Sequence, residues 1–195
     1  MQKEVISNFS TSELIELAVK NHPAAITALV ERHKGMVFNL AFRILGNYHD
    51  AEEAAQDTFL KAFRALQRFR SDSKFSTWLF RICYNTCLTV KRKKFLETQE
   101  LNGCVDYYQQ VEFQPHEAEQ NENIELVNRA MCSLQAEEAA IITLFYVDDL
   151  STAEIAEITG ISEVNVRVKL HRSRKHIKEK ITEMAKQNVV KYQIL

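Results

Sequence analysis

The chain has 195 residues, of which 46% are hydrophobic and 26% charged, with a formal net charge of −1, values typical of a globular protein with a packed core. Its 4 glycines and 2 prolines are too few for the turns of an all-β protein or for a glycine-rich nucleotide-binding fold, so composition favours helices. The first residues lack the apolar core of a signal peptide, and no stretch approaches the roughly 18 apolar residues of a membrane span, so we expect a cytoplasmic protein without membrane insertion.

Helical patterns begin close to the N-terminus. Ser10 and Glu13 form a capping-box pattern ahead of a first helix that ends near residues 21–23. Apolar positions with helical spacing then continue from Ala24 to a stop signal at Gly46. The start of the chain therefore predicts two consecutive helices, of which the second is much the longer.

A third helix is predicted to start at Asp50, which forms another capping pattern with Glu53. Its inward positions are expected to be Ala54, Phe59, Ala62, Phe63 and Leu66. Its first turns carry Glu52, Glu53, Gln56 and Asp57. Acidic side chains at that end of a helix interact favourably with the helix dipole, which supports this start.

A short polar loop separates the third helix from the next one. The loop covers residues 69–74, and the helix is predicted to begin near Ser76 and to run to a basic cluster at residues 91–94. The apolar spacing of this helix involves Phe75, Trp78, Leu79 and Ile82. Basic residues at its end also suit the negative end of the helix dipole.

Residues 69–86 combine aromatic and basic side chains on a loop and a helix. This combination is typical of sites where aromatic rings stack on unpaired bases while cations hold phosphates. On spacing alone, however, Phe75, Leu79 and Ile82 fit a packed core better. Trp78 fits either role equally well.

Charge is distributed unevenly along the chain. Residues 61–94 and 167–180 are strongly basic, whereas residues 95–123 hold seven acidic residues and no lysine or arginine. The acidic segment also lacks apolar periodicity, so we expect a flexible linker. Two basic patches therefore flank an acidic connector.

These patterns predict an all-α fold of two small helical domains, residues 1–94 and 123–195, joined by an acidic flexible linker over residues 95–122. The second domain is expected to open with two helices. Their apolar positions are Ile124, Val127, Ala130 and Met131, followed by Leu134, Ile141, Ile142, Leu144 and Phe145.

The C-terminal domain then shows a helix-turn-helix pattern. Ser151 and Glu154 form a capping box for its first helix, and Gly160 permits the tight turn. Ser162 caps a last helix that is expected to run to about Ile181. Inward packing is expected from Ile155, Ala156 and Ile158 on the first helix, and from Ile161, Val164 and either Val166 or Leu170 on the second. The outward residues are then Glu163, Asn165, Arg167, Lys169, His171, Arg172 and Arg174.

The outward residues of the last helix have the chemistry of DNA recognition. Arginine can bind guanine edges with two hydrogen bonds, asparagine can read adenine, and lysine or histidine can hold phosphate. The second helix of such a motif enters the major groove. A plain solvated helix face remains the alternative interpretation of the same residues.

Two blocks of the sequence are similar to a known family. Residues 50–66, followed by residues 69–86, closely resemble region 2 of extracytoplasmic-function sigma factors, which belong to the sigma-70 family. Residues 133–174 resemble their region 4. The resemblance covers nearly the whole chain and implies a sigma factor that binds core RNA polymerase and directs promoter-specific transcription initiation. It also implies no catalytic activity, no cofactor and no small-molecule substrate.

The resemblance to region 2 implies a polymerase-binding surface and a minus-ten site. Glu53, Gln56 and Asp57 are expected to dock on the clamp helices of the largest polymerase subunit. The loop before the aromatic helix is expected to capture a flipped base together with Asn85, and Trp78 to open the duplex. The full expected minus-ten set is Phe69, Arg70, Ser71, Asp72, Ser73, Lys74, Trp78, Arg81, Asn85, Lys91 and Arg92.

The resemblance to region 4 implies that the outward residues of the last helix read the minus-thirty-five element of promoter DNA. The main contacts are expected from Arg167, Lys169, His171 and Arg172. The first helices of this domain are expected to lie against the polymerase flap. The acidic linker either lies in channels that later carry RNA or is a plain tether, and the family implies regulation by an anti-sigma factor.

Two other classes of function are compatible with parts of the sequence. A helix-turn-helix regulator that never enters polymerase would explain the last domain but not residues 50–86. A helical enzyme could use Glu52, Glu53 and Asp57 as metal ligands or a cysteine as nucleophile, but no histidine pair or phosphate loop completes a site. The cysteines form no Cys-x-x-Cys pair, so reduced thiols are the simpler interpretation than metal or redox sensing.

Overall fold

The computed structural model of the chain describes residues 9–100 and 122–192, and the side chains within 9–96 and 126–186. All regular elements in these stretches are helices, so the prediction of an all-α fold is confirmed. None of the helices in the described stretches combines the length and apolarity that a bilayer crossing requires.

The chain divides into two compact units, Met1–Glu97 and Thr98–Leu195, as expected for two small helical domains. The predicted acidic linker falls mostly on residues 101–121, which lie outside the described residues. Each unit has its own set of buried apolar side chains.

The described part of the first unit contains α1 (Thr11–Val19), α2 (Pro23–Leu45), α3 (Tyr48–Ala65), a 3-10 turn (Leu66–Arg68) and α4 (Phe75–Glu100). The predicted capping box of α1 is present, with the Ser10 hydroxyl accepting a hydrogen bond from the Glu13 amide. The Gly46 residue that ends α2 has a φ of 71°, a left-handed conformation that costs glycine little. Local backbone chemistry thus sets both boundaries, as the sequence predicts.

The core of the first unit forms around α2, which packs against both α1 and α3. Its largest buried side chains are Leu14, Leu29, Val37, Leu40, Ile44, Leu79 and Phe80. The α3 helix contributes the fully buried alanines Ala51, Ala54 and Ala62. Because alanine is small, these positions let α3 approach its neighbours closely.

Three details of the first unit differ from the predictions. The N-cap of α3 is Asn47, whose side-chain oxygen accepts a hydrogen bond from the Asp50 amide at 3.0 Å, so the predicted cap at Asp50 is wrong. Phe59 and Phe63 are half-buried, because the alanines occupy the centre of that face. The α4 backbone runs on to Glu100, beyond the basic cluster where it was expected to end.

The described part of the second unit contains α5 (Glu122–Cys132), α6 (Ala136–Tyr146), α7 (Thr152–Thr159) and α8 (Glu163–Tyr192). Six consecutive α6 residues, 139–144, are buried, so α6 is the central helix of this unit. The α8 helix packs against α5, α6 and α7. Ala130, Met131 and Leu134 are buried as predicted, whereas Val127, one turn earlier on the same face of α5, is 44% exposed.

The helix-turn-helix pattern is confirmed at its caps and turn. The Ser151 hydroxyl accepts from the Glu154 amide in a complete capping box. Gly160 follows α7 with a φ of 75°, and the Ser162 hydroxyl accepts from the Asn165 amide at the start of α8. The end predicted near Ile181 is wrong, since α8 continues to Tyr192.

The packing of the two motif helices agrees with the prediction at most positions. Ile155, Ile158, Val166 and Leu170 are buried between them. Ala156 and Ile161 are only half-buried. Val164, predicted to face inward, is 66% exposed, because it lies on the opposite side of α8 from Val166 and Leu170.

The turn between α6 and α7 holds a partly buried carboxyl group. The Asp148 Oδ2 atom is buried and has no hydrogen-bond partner among the described residues, while the Asp148 amide donates to the Thr143 carbonyl at 3.2 Å. Burial raises the pKa of Asp148 from its ordinary value near 3.8 to about 6. The charged form is therefore disfavoured in the folded protein.

We expect Asp148→Asn to stabilise the protein near neutral pH. The raised pKa contributes stability that is fully present below about pH 4 and is lost as pH rises through about 6. Because the side chain is partly exposed, the loss should be about 1 kcal/mol at pH 7. Thermal unfolding of wild type and variant across pH 4 to 7 measures this loss of stability. Parallel pH profiles for the two proteins would contradict the assignment.

Candidate nucleic-acid and polymerase interfaces

An aromatic cluster forms where the polar loop meets the start of α4. The ring centroids of Phe69 and Trp78 are 5.1 Å apart, those of Phe75 and Trp78 are 5.6 Å apart, and those of Phe69 and Phe75 are 5.7 Å apart. Phe75 is buried and makes an edge contact with the His33 ring at 5.3 Å. Trp78 is only half-buried, so this cluster supports one tryptophan that remains partly open to solvent.

His33 lies beneath this cluster in the core of the first unit. Burial, reinforced by the adjacent Arg32 cation, lowers the pKa of His33. The neutral imidazole is therefore favoured, and the Phe75 ring makes its edge contact with an uncharged histidine ring. This arrangement fixes the first turn of α4, which carries Trp78.

The loop that precedes α4 is exposed at most of its positions. Arg70, Ser71, Asp72 and Lys74 are exposed, whereas Ser73 and Phe69 are half-buried. Ser71 has a φ of 58°, in the left-handed region that few non-glycine residues adopt. The Trp78 amide donates to the Lys74 carbonyl at 3.1 Å, which joins the loop to the first turn of α4. Polar and cationic groups thus stand next to the half-open tryptophan.

Four of the expected minus-ten residues share one face of α4. Trp78, Arg81, Asn85 and Arg92 follow helical spacing, and the last three are exposed. Lys91 lies on a different side of the helix and is half-buried. Burial lowers the pKa of Lys91. The structure therefore brings together an aromatic ring, two guanidinium groups and an amide, and it separates Lys91 from them.

An ion pair and a side-chain hydrogen bond connect α3 to α4. The Lys94 ammonium group forms an ion pair with the Asp50 carboxylate, which is largely buried. The Lys61 ammonium group donates to the Thr86 hydroxyl at 3.1 Å and lies 3.9 Å from the Asp57 carboxylate. These contacts fix the exposed face of α4 relative to α3.

The proposed polymerase-binding residues form one exposed face of α3. Glu53, Gln56 and Asp57 are all exposed. Leu60 continues the same face one turn later and is 56% exposed, although the sequence analysis did not include it. Its spacing of four residues from Gln56 is the signal that could have found it. An exposed apolar side chain rimmed by polar ones is typical of a protein-binding surface.

The cysteines of α4 are packed in the core. Cys83 and Cys87 are fully buried, and the Cys83 thiol donates to the Val37 carbonyl at 3.5 Å. A hydrogen bond with Cys83, together with burial, raises the pKa of Cys87. A thiol held in its protonated form is a poor nucleophile. Within the described residues, no three His, Cys, Asp or Glu side chains are placed to hold a metal ion.

The first turn of α8 is anchored to α7 through Glu163. The Thr152 hydroxyl donates to the Glu163 carboxylate at 2.6 Å, and the Arg167 guanidinium donates to the same oxygen at 2.5 Å. The hydrogen bond from Thr152, followed by that from Arg167, lowers the pKa of Glu163. Glu163 thus positions the start of α8 and also holds Arg167.

Two further cations of α8 contact their own domain. The Lys169 ammonium group lies 2.8 Å from the Glu137 carboxylate of α6. The Arg174 guanidinium lies 5.7 Å from the centroid of the Phe145 ring and 5.4 Å from that of the Tyr146 ring. Such contacts orient α8, and they place these two side chains on its flanks.

The outermost face of α8 differs from the expected set. Asn165, His171 and Arg172 are exposed on it, as expected. Val164 and Val168 lie between them on the same face and are 66% and 42% exposed. Val164 was expected to face inward, and Val168 was not assigned. The two valines are one helical turn apart and on the opposite side of the helix from Val166 and Leu170, which is the sequence signal that indicates this face.

Comparison with known proteins identifies both units. Residues 29–95 match the family model for Sigma-70 region 2, and residues 124–177 match the model for Sigma-70, region 4. The chain is 30% identical over 179 residues to the ECF RNA polymerase sigma factor SigW of Bacillus subtilis (strain 168), covering 87% of this chain and 96% of the relative. It is 32% identical over 182 residues to the ECF RNA polymerase sigma-E factor of Escherichia coli (strain K12), covering 86% and 92%.

Two solved structures share the fold. The sigma factor RpoE, in complex with the anti-sigma factor NepR from Bartonella quintana, superposes with a TM-score of 0.71 at 22% identity, covering 80% of this chain and 96% of that one. CnrH, in complex with the cytosolic domain of CnrY, gives a TM-score of 0.60 at 24% identity, covering 87% and 96%. At these identities the likeness concerns the fold alone.

Proposed function

The chain belongs to the extracytoplasmic-function sigma factors, and from this membership we propose how its two helical units divide the work of promoter recognition. As a sigma factor it binds core RNA polymerase and directs promoter-specific transcription initiation. The observation that carries this conclusion is the match to region 2 and region 4, in that order, in one chain that aligns with 96% of a sigma factor at 30% identity.

We propose that residues 1–94 bind the polymerase clamp helices and open the minus-ten element. The exposed face of α3, with Glu53, Gln56 and Asp57, is the clamp-binding surface, and Leu60 adds an apolar contact at its end. Acidic residues around an apolar side chain can provide both electrostatic complementarity and buried area. Residues 95–122 then act as the linker between the two DNA-binding units.

Base capture is proposed for the loop before α4 and the exposed face that follows it. Extruding a base from a duplex costs a few kcal/mol of stacking and pairing. The half-open Trp78 ring, supported by Phe69 and Phe75, can offset that cost by stacking, while Arg81 and Arg92 hold the phosphates. Asn85 lies on the same face, where its amide can bond an unpaired base. Lys91 lies outside that face, so we assign it a smaller contribution to DNA binding.

We expect Trp78→Ala to slow promoter opening by about tenfold or more, since a stacked base contributes roughly 1 to 3 kcal/mol. Opening is measured with holoenzyme by permanganate reactivity of unpaired thymines. A template that already carries an unpaired minus-ten bubble should restore activity, which a misfolded variant could not show. Phe95→Ala is a matched control, because this exposed aromatic residue lies near the other end of α4. Normal opening by Trp78→Ala would contradict the proposed role.

The second unit, residues 123–195, is proposed to read the minus-thirty-five element through α8. His171 and Arg172 stand on its outermost face with Asn165 and can reach base edges and phosphates. Arg167 and Lys169, held by acidic side chains of the same domain, are better placed as flanking phosphate contacts. The first helices of this unit are proposed to lie against the polymerase flap.

Further properties of this chain are proposed from family membership. Sigma factors are not enzymes in the catalytic sense, and we propose that this chain likewise needs no cofactor. It would act in the cytoplasm, where RNA polymerase transcribes the genome. An anti-sigma factor is the proposed regulatory partner, since the sigma factor RpoE, which shares this fold, has been solved in complex with the anti-sigma factor NepR.

The decisive experiment combines purified protein with bacterial core RNA polymerase. We expect comigration of the two and transcription that starts at defined sites on genomic DNA. Duplex DNA binding by the protein alone, without any association with core polymerase, would instead support a helix-turn-helix regulator. The match to region 2 makes that alternative the weaker one, because a regulator that does not enter polymerase does not need a clamp-binding surface.

A further inference from the structure

We propose that Val164 and Val168 form an apolar strip on α8 that contacts the 5-methyl groups of thymines in the major groove of the minus-thirty-five element. This inference rests on the proposed role of α8 in promoter recognition. It specifies which chemical group of the bases α8 contacts, and it names two residues that determine sequence preference.

The position of the strip follows from the packing of α8. Val166, Leu170 and Ser173 are buried against the rest of the second unit. Val164 and Val168 lie on the opposite side of the helix, one turn apart, with exposures of 66% and 42%. Both valine side chains therefore face the space that DNA would occupy.

The strip has no evident role in the stability of the second unit. A β-branched side chain on an exposed helix face is slightly unfavourable, because the helix restricts its rotamers. The exposed Val164 and Val168 bury little area that could offset this cost. Their presence at the centre of the outward face is better explained by a contact made in a complex.

The neighbours of the strip favour DNA as the contact. Asn165, His171 and Arg172 are exposed around the two valines, so the apolar groups have polar and cationic neighbours. In the major groove, the thymine methyl is the distinctive apolar group on a base edge, and it is read by apolar side chains. Cationic groups around an apolar centre match phosphates on either side of such a base.

The spacing of the strip limits which thymines it can contact. One helical turn advances about 5.4 Å, and successive base pairs are about 3.4 Å apart. The two valines should therefore contact methyl groups on adjacent or next-adjacent base pairs, on either strand. The preferred minus-thirty-five element should contain such a pair of A·T base pairs.

Uracil substitution tests this contact, since deoxyuridine differs from thymidine only by the missing methyl group. Holoenzyme is first used to select its preferred duplex from a pool randomised over the minus-thirty-five element. Each thymine of that duplex is then replaced singly by deoxyuridine. Wild-type holoenzyme should lose about fourfold in affinity at each contacted position. Val164→Ala should abolish the effect at one position, and Val168→Ala at the other.

A matched control comes from the same unit. Val147 is 61% exposed in the turn after α6, so Val147→Ala removes the same two methyl groups from a surface outside α8. It should keep the wild-type response to every substitution. Alanine favours helix formation, so the two α8 variants are expected to fold, and thermal unfolding verifies this.

Three outcomes would overturn the inference. Equal affinity of wild type for thymine and uracil duplexes would show that the strip serves another contact, such as a protein partner. Unchanged methyl sensitivity in both α8 variants would assign the contact to other residues. Failure of the holoenzyme to prefer any duplex would remove the proposed function of α8 and this inference with it.

Discussion

Combining Glu53→Lys with Asp57→Lys is expected to weaken binding to core RNA polymerase by about tenfold to a hundredfold, or roughly 1.4 to 2.8 kcal/mol. Both carboxylates are exposed on one face of α3, which is the proposed clamp-binding surface. Reversing their charge places like charges where opposite ones are expected in the complex. Like-charge juxtaposition at an interface is costly and also slows association.

The binding measurement uses labelled core polymerase titrated with the sigma factor at two salt concentrations. The effect should be larger at low salt, where exposed charges are less screened. Glu16→Lys is the control, because it makes one such charge reversal, half the change of the double variant, at an exposed position of α1. Thermal unfolding should show that all three proteins are folded at the temperature of the binding measurement. Equal core affinity of the double variant and wild type would remove α3 from the polymerase interface.

Arg172→Ala is expected to weaken promoter binding by holoenzyme by about 1 to 3 kcal/mol. The Arg172 side chain is exposed on the outward face of α8, next to the strip formed by Val164 and Val168. If its guanidinium binds a guanine edge, the loss should concentrate at one base pair of the minus-thirty-five element. If it holds phosphate, the loss should be uniform across sequences and the salt dependence should become weaker.

Comparison with Lys169→Ala separates a DNA contact from a general change of charge. The Lys169 ammonium group is held by Glu137, so its removal should affect DNA affinity less and the stability of the domain more. Arg129→Ala provides a second comparison, since this exposed arginine lies on α5. Promoter affinity that is unchanged by Arg172→Ala, in a variant that folds normally, would reject the proposed reading face.

The features that sequence predicts well here are those decided by local chemistry. The capping boxes at Ser10 and Ser151 depend on residues three positions apart, and the left-handed turns at Gly46 and Gly160 favour glycine, which adopts this conformation at little cost. Such signals are complete within a few residues. The eight α-helices of residues 9–100 and 122–192, and the helix-turn-helix among them, therefore follow from local sequence signals.

The features that sequence analysis missed depend on packing between helices. Val164 looks like a core residue by type, and only the orientation of α8 against its neighbours turns it outward. The contact between Lys169 and Glu137 joins positions far apart in the chain, so no local pattern reveals it. Likewise, the basic cluster at residues 91–94 and the acidic segment after it led to a predicted end of α4 at Lys94. The helix continues, because no glycine or proline interrupts it there.

The continuity of α4 has a consequence for the geometry of promoter opening. Trp78 and Arg92 share one uninterrupted helix and one face, so about 21 Å separates them along its axis, close to the length of six stacked base pairs. Because the helix is stiff, Trp78, the proposed point of strand separation, and the cationic end at Arg92 keep a fixed distance and a fixed angle about the helix axis. Inserting a single residue between them would rotate one contact by about 100° relative to the other. The helix thus fixes the spacing of the two contacts, and the number of residues between them is as constrained as the identity of the residues that make them.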